Sequence, residues 1–125
     1  MRKVRVMWLD SGEPHSPRME GVEFEVVWGR WSEADSYHPG PEETRAVEQV
    51  TAAGGVDLVV IGNNMGAGQK FAKVVAEPLR SRAIVVWNSE PREGDKRPYE
   101  ALGLSHFGAR HELGRLIVEM VREMP

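Results

Sequence analysis

The strongest constraint in this chain is a pair of short, almost unbroken apolar runs, Val56 to Ile61 and Ala83 to Trp87. A strand with one face in water alternates apolar and polar residues. A run without alternation needs cover on both faces, as in the central strands of a parallel sheet. Parallel neighbours need crossover connections, usually helices, and helical patterns flank both runs. Pro41-Glu42-Glu43 opens one helix, because proline suits the first helical position and carboxylates there oppose the helix dipole. Its inward stripe is Ala46, Val47, Val50 and Ala53, and Gly54-Gly55 ends it. A second helix is expected from about Gly68 to Glu77, with Phe71, Val74 and Val75 inward and Pro78 limiting its last turn. The last is the clearest: Leu113, Leu116, Ile117, Met120, Val121 and Met124 recur at helical spacing.

Two strands precede these elements. Val4 to Leu9 ends at Asp10-Ser11-Gly12, and Val22 to Trp28 alternates Glu23 and Glu25 with apolar residues, as a strand near a sheet edge does. Leu104 to Phe107 is a candidate fifth strand. The order predicts an α/β three-layer sandwich with a mostly parallel sheet of four or five strands. Asp10 to Gly21 is only a dozen residues and has no helical stripe. The first crossover helix is therefore short or absent, or the first two strands pair antiparallel.

A length of 125 residues fits one domain over 1–125. The absence of cysteine excludes a disulfide scaffold, thiolate metal sites and a cysteine nucleophile. A net charge of −3 argues against a protein built mainly to coat nucleic acid. No signal peptide is evident and no apolar run is long enough to cross a membrane, so a soluble cytoplasmic protein is expected.

The irregular chain is unevenly placed. Connections from helix to strand are brief, whereas Asp10 to Gly21, Gly29 to Gly40, Gly62 to Ala67 and Asn88 to Pro98 all follow strands. In a parallel sheet these four segments share the carboxyl ends of the strands, where ligands bind in open α/β folds. The candidate ligand-binding residues there are Asp10, Asn63, Asn64, Gly66, Gly68, Asn88 and Ser89. Each also has a plain structural use. Asp10 suits a turn cap, the asparagines tolerate left-handed backbone, and the glycines fit a tight turn. Glycine-rich backbone at a helix start favours anions, but Gly62 to Lys70 has neither Walker nor dinucleotide spacing. Arg30, Trp31 and Tyr37 are the residue types that anchor partners. In an enzyme, Asp10 or His106 would serve as acid or base; no metal site and no cofactor motif is present.

The stretch Val56-Asp57-Leu58-Val59-Val60-Ile61-Gly62-Asn63-Asn64-Met65-Gly66 resembles the third strand and following turn of response-regulator receiver domains. The resemblance extends through Ala83 to Trp87, Tyr99 to Phe107 and the helix from Glu112, mainly over residues 56–121. It implies a flavodoxin- or receiver-like sandwich. It also implies a degenerate receiver: Gly62 stands where the family has its phosphate-accepting aspartate, Ser11 replaces one magnesium-binding acid, and no lysine follows Phe107. The expected function is then a non-catalytic signalling or protein-interaction module, acting on a protein partner or as a homodimer. The alternative is a small anion- or nucleotide-binding protein or enzyme using the carboxyl-end loops. Nucleic-acid binding requires Arg80, Arg82, Arg92, Lys96 and Arg97 to form one basic face, so neither nucleic acid nor membrane is expected as a partner.

Overall fold

The strands β1 (Arg2–Leu9), β2 (Val22–Trp28), β3 (Leu58–Gly62), β4 (Ala83–Trp87) and β5 (His106–Ala109) pair in the order β2-β1-β3-β4-β5. Every pairing is parallel. The computed structural model describes residues 1–10, 17–28 and 40–125. Its helices are α1 (Pro41–Ala52), α2 (Gly68–Val74), α3 (Glu93–Glu100) and α4 (Leu113–Glu123), with 3-10 turns at Glu77–Arg82 and Arg110–Glu112. This is the expected α/β sandwich of flavodoxin type. The open question about the first two strands is resolved: β1 and β2 are parallel, in register from Arg2↔Val22 to Val6↔Val26, with an irregularity before Met7↔Trp28.

Strand side chains alternate between faces, so each central strand feeds two cores. Met7, Leu9, Val59, Ile61 and Val85 face the helices α1, α2 and α3, where Val47, Phe71 and Tyr99 meet them. Val4, Val6, Trp8, Leu58, Val60, Ile84 and Val86 face α4, where Leu113, Ile117, Met120 and Val121 complete the second core. Burying each such side chain contributes about 1.5–3 kcal/mol. The unbroken apolar runs are thus explained by cover on both faces.

Several elements differ from the sequence reading: the first strand begins at Arg2 and the third runs from Leu58 to Gly62. The second helix stops at Val74, because Val75 and Ala76 turn extended before the 3-10 segment that carries Pro78. The fifth strand starts two residues later, at His106. Gly103, at φ 94°, and the bond from Leu104 N–H to the Tyr99 carbonyl hold the preceding turn. Within Asn88 to Pro98, read as a loop, lies the start of α3. Its polar sequence and interior Pro98 hide it, and Tyr99 is its one buried residue.

No helix among the described residues is long and apolar enough to cross a membrane.

Candidate functional site

The chain leaves β1 for the outer strand β2 and returns to β3 beside β1. That reversal opens a crevice beyond the carboxyl ends of β1 and β3. Asp10 is the first residue past β1 and is 1% exposed. Its partner is Arg110, the first residue past β5. Arg110 donates from Nε to Asp10 Oδ2 at 3.0 Å and from one terminal nitrogen to Oδ1 at 2.6 Å. Asn64 donates to Asp10 Oδ1 at 3.1 Å and accepts from Arg110 at 2.9 Å, and Arg110 also donates to Asn88 Oδ1.

Gly62 makes the cluster possible. A Cβ there would lie 2.1 Å from Asp10 Oδ1 and 3.0 Å from an Arg110 nitrogen. The position that the receiver resemblance assigns to a phosphate acceptor is therefore filled by an ion pair and has no room for a side chain.

The turn Asn63 to Gly68 is built for shape. Asn64, Met65 and Gly66 all have positive φ, and Met65, 85% exposed, forms its tip. The backbone N–H groups of Gly66 and Gly68 both donate to the Asn63 carbonyl, and Ala67 N–H to that of Asn64. They are turned inward and form no anion cradle. A Cβ on Gly68 would lie 2.4 Å from the Gly62 carbonyl and 2.9 Å from the Tyr99 hydroxyl, so glycine there permits close helix packing.

The remaining candidates separate. Asn88 joins the cluster, while Ser89 is exposed one residue beyond it. His106 lies toward the other end of the sheet, opposite Ile84, with Ser105 as its neighbour. Asp10 and His106, the alternative acid or base of an enzyme, thus lie toward opposite ends of the sheet. Arg30, Trp31 and Tyr37 lie outside the described residues. Arg110 is the site residue that the sequence analysis does not single out. Its place immediately after the last strand, matching that of Asp10 after the first, was the available signal.

Two further grooves among the described residues carry polar or charged side chains. One, of about 250 Å³, lies between the first turns of α2 and α3 and is lined by Asn63, Gly66, Gln69, Trp87, Gly94, Asp95 and Pro98. Tyr99 donates its hydroxyl to Asn63 Oδ1 at 2.6 Å. Burial pushes the Tyr99 phenol well above its ordinary pKa, so it stays a neutral donor. The second groove, of about 530 Å³, runs along α4 and is lined by Pro17, Arg18, Gly114, Arg115, Val118, Glu119 and Arg122. Arg115 is bound to Glu112 at 2.7 Å and to Glu119 at 2.9 Å, while Arg18 and Arg122 are exposed. Of the basic residues between Arg80 and Arg97, Arg80 donates to the carbonyls of Lys73, Val75 and Leu102, and Lys96 pairs with Glu93.

No family model matches the sequence, and no solved structure matches it. Over 101 residues, 81% of this chain and 72% of the relative, it is 26% identical to large ribosomal subunit protein bL21 of a Cyanothece species. This likeness overturns the receiver resemblance and the signalling keywords that came with it. It likewise overturns the interaction-module reading, its ligand-binding or enzymatic alternative, and the exclusion of nucleic acid. The physical reasons are plain. Apolar strand runs and a turn glycine recur in any doubly wound sheet, and a net charge describes the mean field, not a local patch. The chain is thus similar to a protein of the large ribosomal subunit.

Proposed function

We propose that this chain is a cytoplasmic, RNA-binding structural protein that associates with the large ribosomal subunit. The observation that carries the reading is its likeness to large ribosomal subunit protein bL21 across 81% of its length. With a net charge of −3, affinity for RNA has to come from a local surface. The α4 groove supplies one. Arg18, Arg115 and Arg122 stand around Val118, and Gly114 leaves the helix surface open because nothing lies within 4 Å of a Cβ there. Arginines at such a groove suit phosphate oxygens, which they bind through paired N–H groups.

Sedimentation of the tagged chain with separated ribosomal subunits tests the reading, together with binding to purified large-subunit RNA over a salt series. Co-sedimentation with the large subunit is expected. So is a log–log salt slope of about −2, the counterion release of two or three phosphate contacts. Arg18→Gln with Arg122→Gln is expected to flatten that slope by roughly 2. A chain that stays unbound at low salt and ignores the purified RNA overturns the reading.

A further inference from the structure

We propose that the groove along α4 takes RNA by its ribose–phosphate backbone and reads no base, with phosphates on Arg18 and Arg122 and a sugar over Gly114 and Val118. This rests on the RNA-binding reading and deepens it by naming which part of the RNA the groove receives.

The lining selects the ligand. Arg18 and Arg122 are exposed cations at the groove. Arg115 is engaged within the chain, bound to Glu112 at 2.7 Å and to Glu119 at 2.9 Å, so its charge and that of Glu119 offset each other. Phosphate contacts therefore fall to the other two arginines. The rest of the lining is Pro17, Gly114 and Val118. Among the described residues around the groove there is no aromatic ring and no amide side chain, the groups that stack on unpaired bases and bond to their edges. What remains suits a backbone, with arginine forks for phosphate oxygens and an apolar floor for the carbon face of the sugar.

The space fits the same ligand. At about 530 Å³ the groove lies within the 300–1,000 Å³ of ligand-sized clefts, more than a lone phosphate ion fills. Gly114, Val118 and Arg122 follow one another at four-residue spacing, so floor and cation share one face of α4. Glycine inside a helix weakens it relative to alanine. Gly108 has a packing reason, because a Cβ there would lie 2.8 Å from Leu116. Gly114 has none: it is exposed, and a Cβ there meets nothing within 4 Å. Its missing side chain instead lets a partner approach the helix backbone closely, beside the two arginines.

The test compares wild type with Gly114→Leu and Gly114→Ala by fluorescence anisotropy. The probes are single-stranded RNA homo-oligomers and two RNA duplexes of unrelated sequence, each over a salt series. Leucine fills the floor of the groove and leaves every charge in place. Both variants put a better helix former at an exposed position, so the fold is expected to hold, and thermal unfolding verifies it. Wild-type affinities are expected to agree within about fivefold among the homo-oligomers and between the two duplexes, since no base contact contributes. Gly114→Leu is expected to weaken every probe roughly tenfold, the loss of one charge-assisted contact. Its salt slope is expected to be shallower by about one. Gly114→Ala is expected to keep most of the affinity. Tighter binding of duplex or of single strand supports the inference equally and identifies which supplies the backbone. A wider spread set by one base overturns it, because a base is then read. Gly114→Leu binding as tightly as wild type also overturns it and leaves the RNA reading standing. A wild type that binds no RNA overturns both.

Discussion

Two polar assemblies lie a few residues apart at the carboxyl ends of the strands, and they treat their hydrogen-bonding groups in opposite ways. Around Asp10 the groups are spent on one another: both carboxylate oxygens meet Arg110, and Asn64 and Asn88 close the ring. Around the groove between α2 and α3, Asn63 and Asp95 each give one oxygen to the protein's own bonds and also line the open groove. The difference separates holding from binding. A buried network whose members are satisfied rigidifies the fold, whereas a half-used one at an open groove is ready for a partner.

The comparison is broken most severely by removing one charge of the ion pair. Arg110→Ala is expected to lower stability by about 3–5 kcal/mol in denaturant unfolding, because the buried Asp10 carboxylate loses the cation that offsets its charge. Adding Asp10→Asn is expected to restore part of that loss. A single variant as stable as wild type would mean that the pair is merely incidental.

Next in size is a contrast between two glycines. Gly62→Ala is expected to destabilise by about 1–3 kcal/mol or more, since its Cβ collides with the Asp10 carboxylate. Gly94→Ala, in open space within α3, is expected to be neutral or to stabilise by up to about 1 kcal/mol. Thermal unfolding of the two variants side by side checks the pair, and equal effects would erase the distinction between the closed cluster and the open groove.

Tyr99→Phe removes the hydroxyl that orients Asn63 and is expected to cost about 1–2 kcal/mol. Denaturant unfolding checks this, and unchanged stability would mean that the Tyr99–Asn63 bond is incidental.

The smallest effect is electrostatic and lies beside the ion-pair cluster. Glu90 is raised above its ordinary pKa by its hydrogen bond to Glu112 and then by repulsion from it. Glu112 is lowered by the Ala109 N–H first, then by Glu90 and Arg115. The contribution of Glu90 is present below the ordinary carboxylate range and is lost as pH rises through the raised value. That of Glu112 is present above the ordinary range and is lost as pH falls through the lowered value. The contact is firmest near the ordinary carboxylate pKa, and its exposure keeps the effect on stability small. Carboxyl titration by NMR should place Glu90 above Glu112; the reverse order would refute the assignment.

Much of the architecture was legible in the residues. The bounds of β2 and β4 follow from composition and period, and α4 from its helical stripe. The first helix was marked by Pro41 and its acidic first turn. α3 was not legible, because its residues are polar, Pro98 interrupts the pattern and only Tyr99 anchors it. Of the site, Asp10, Asn63, Asn64 and Asn88 stood out as polar residues at strand ends. Arg110 did not, since it stands among the charged residues that lead into the last helix. The groove around Trp87 was invisible, because its walls come from three separate stretches of chain.

The sequence alone determined the layers, the parallel sheet and the end of it where polar chain collects. Those properties depend on local periodicity and on which residues need cover from water. Only the tertiary structure decided that Asp10 meets Arg110, a hundred residues away, across the ends of the strands between them. It also decided that the turn glycines serve packing instead of an anion, and that Trp87, Asn63 and Asp95 face one groove. Such meetings depend on strand order and on the space left by missing side chains, which no local pattern encodes.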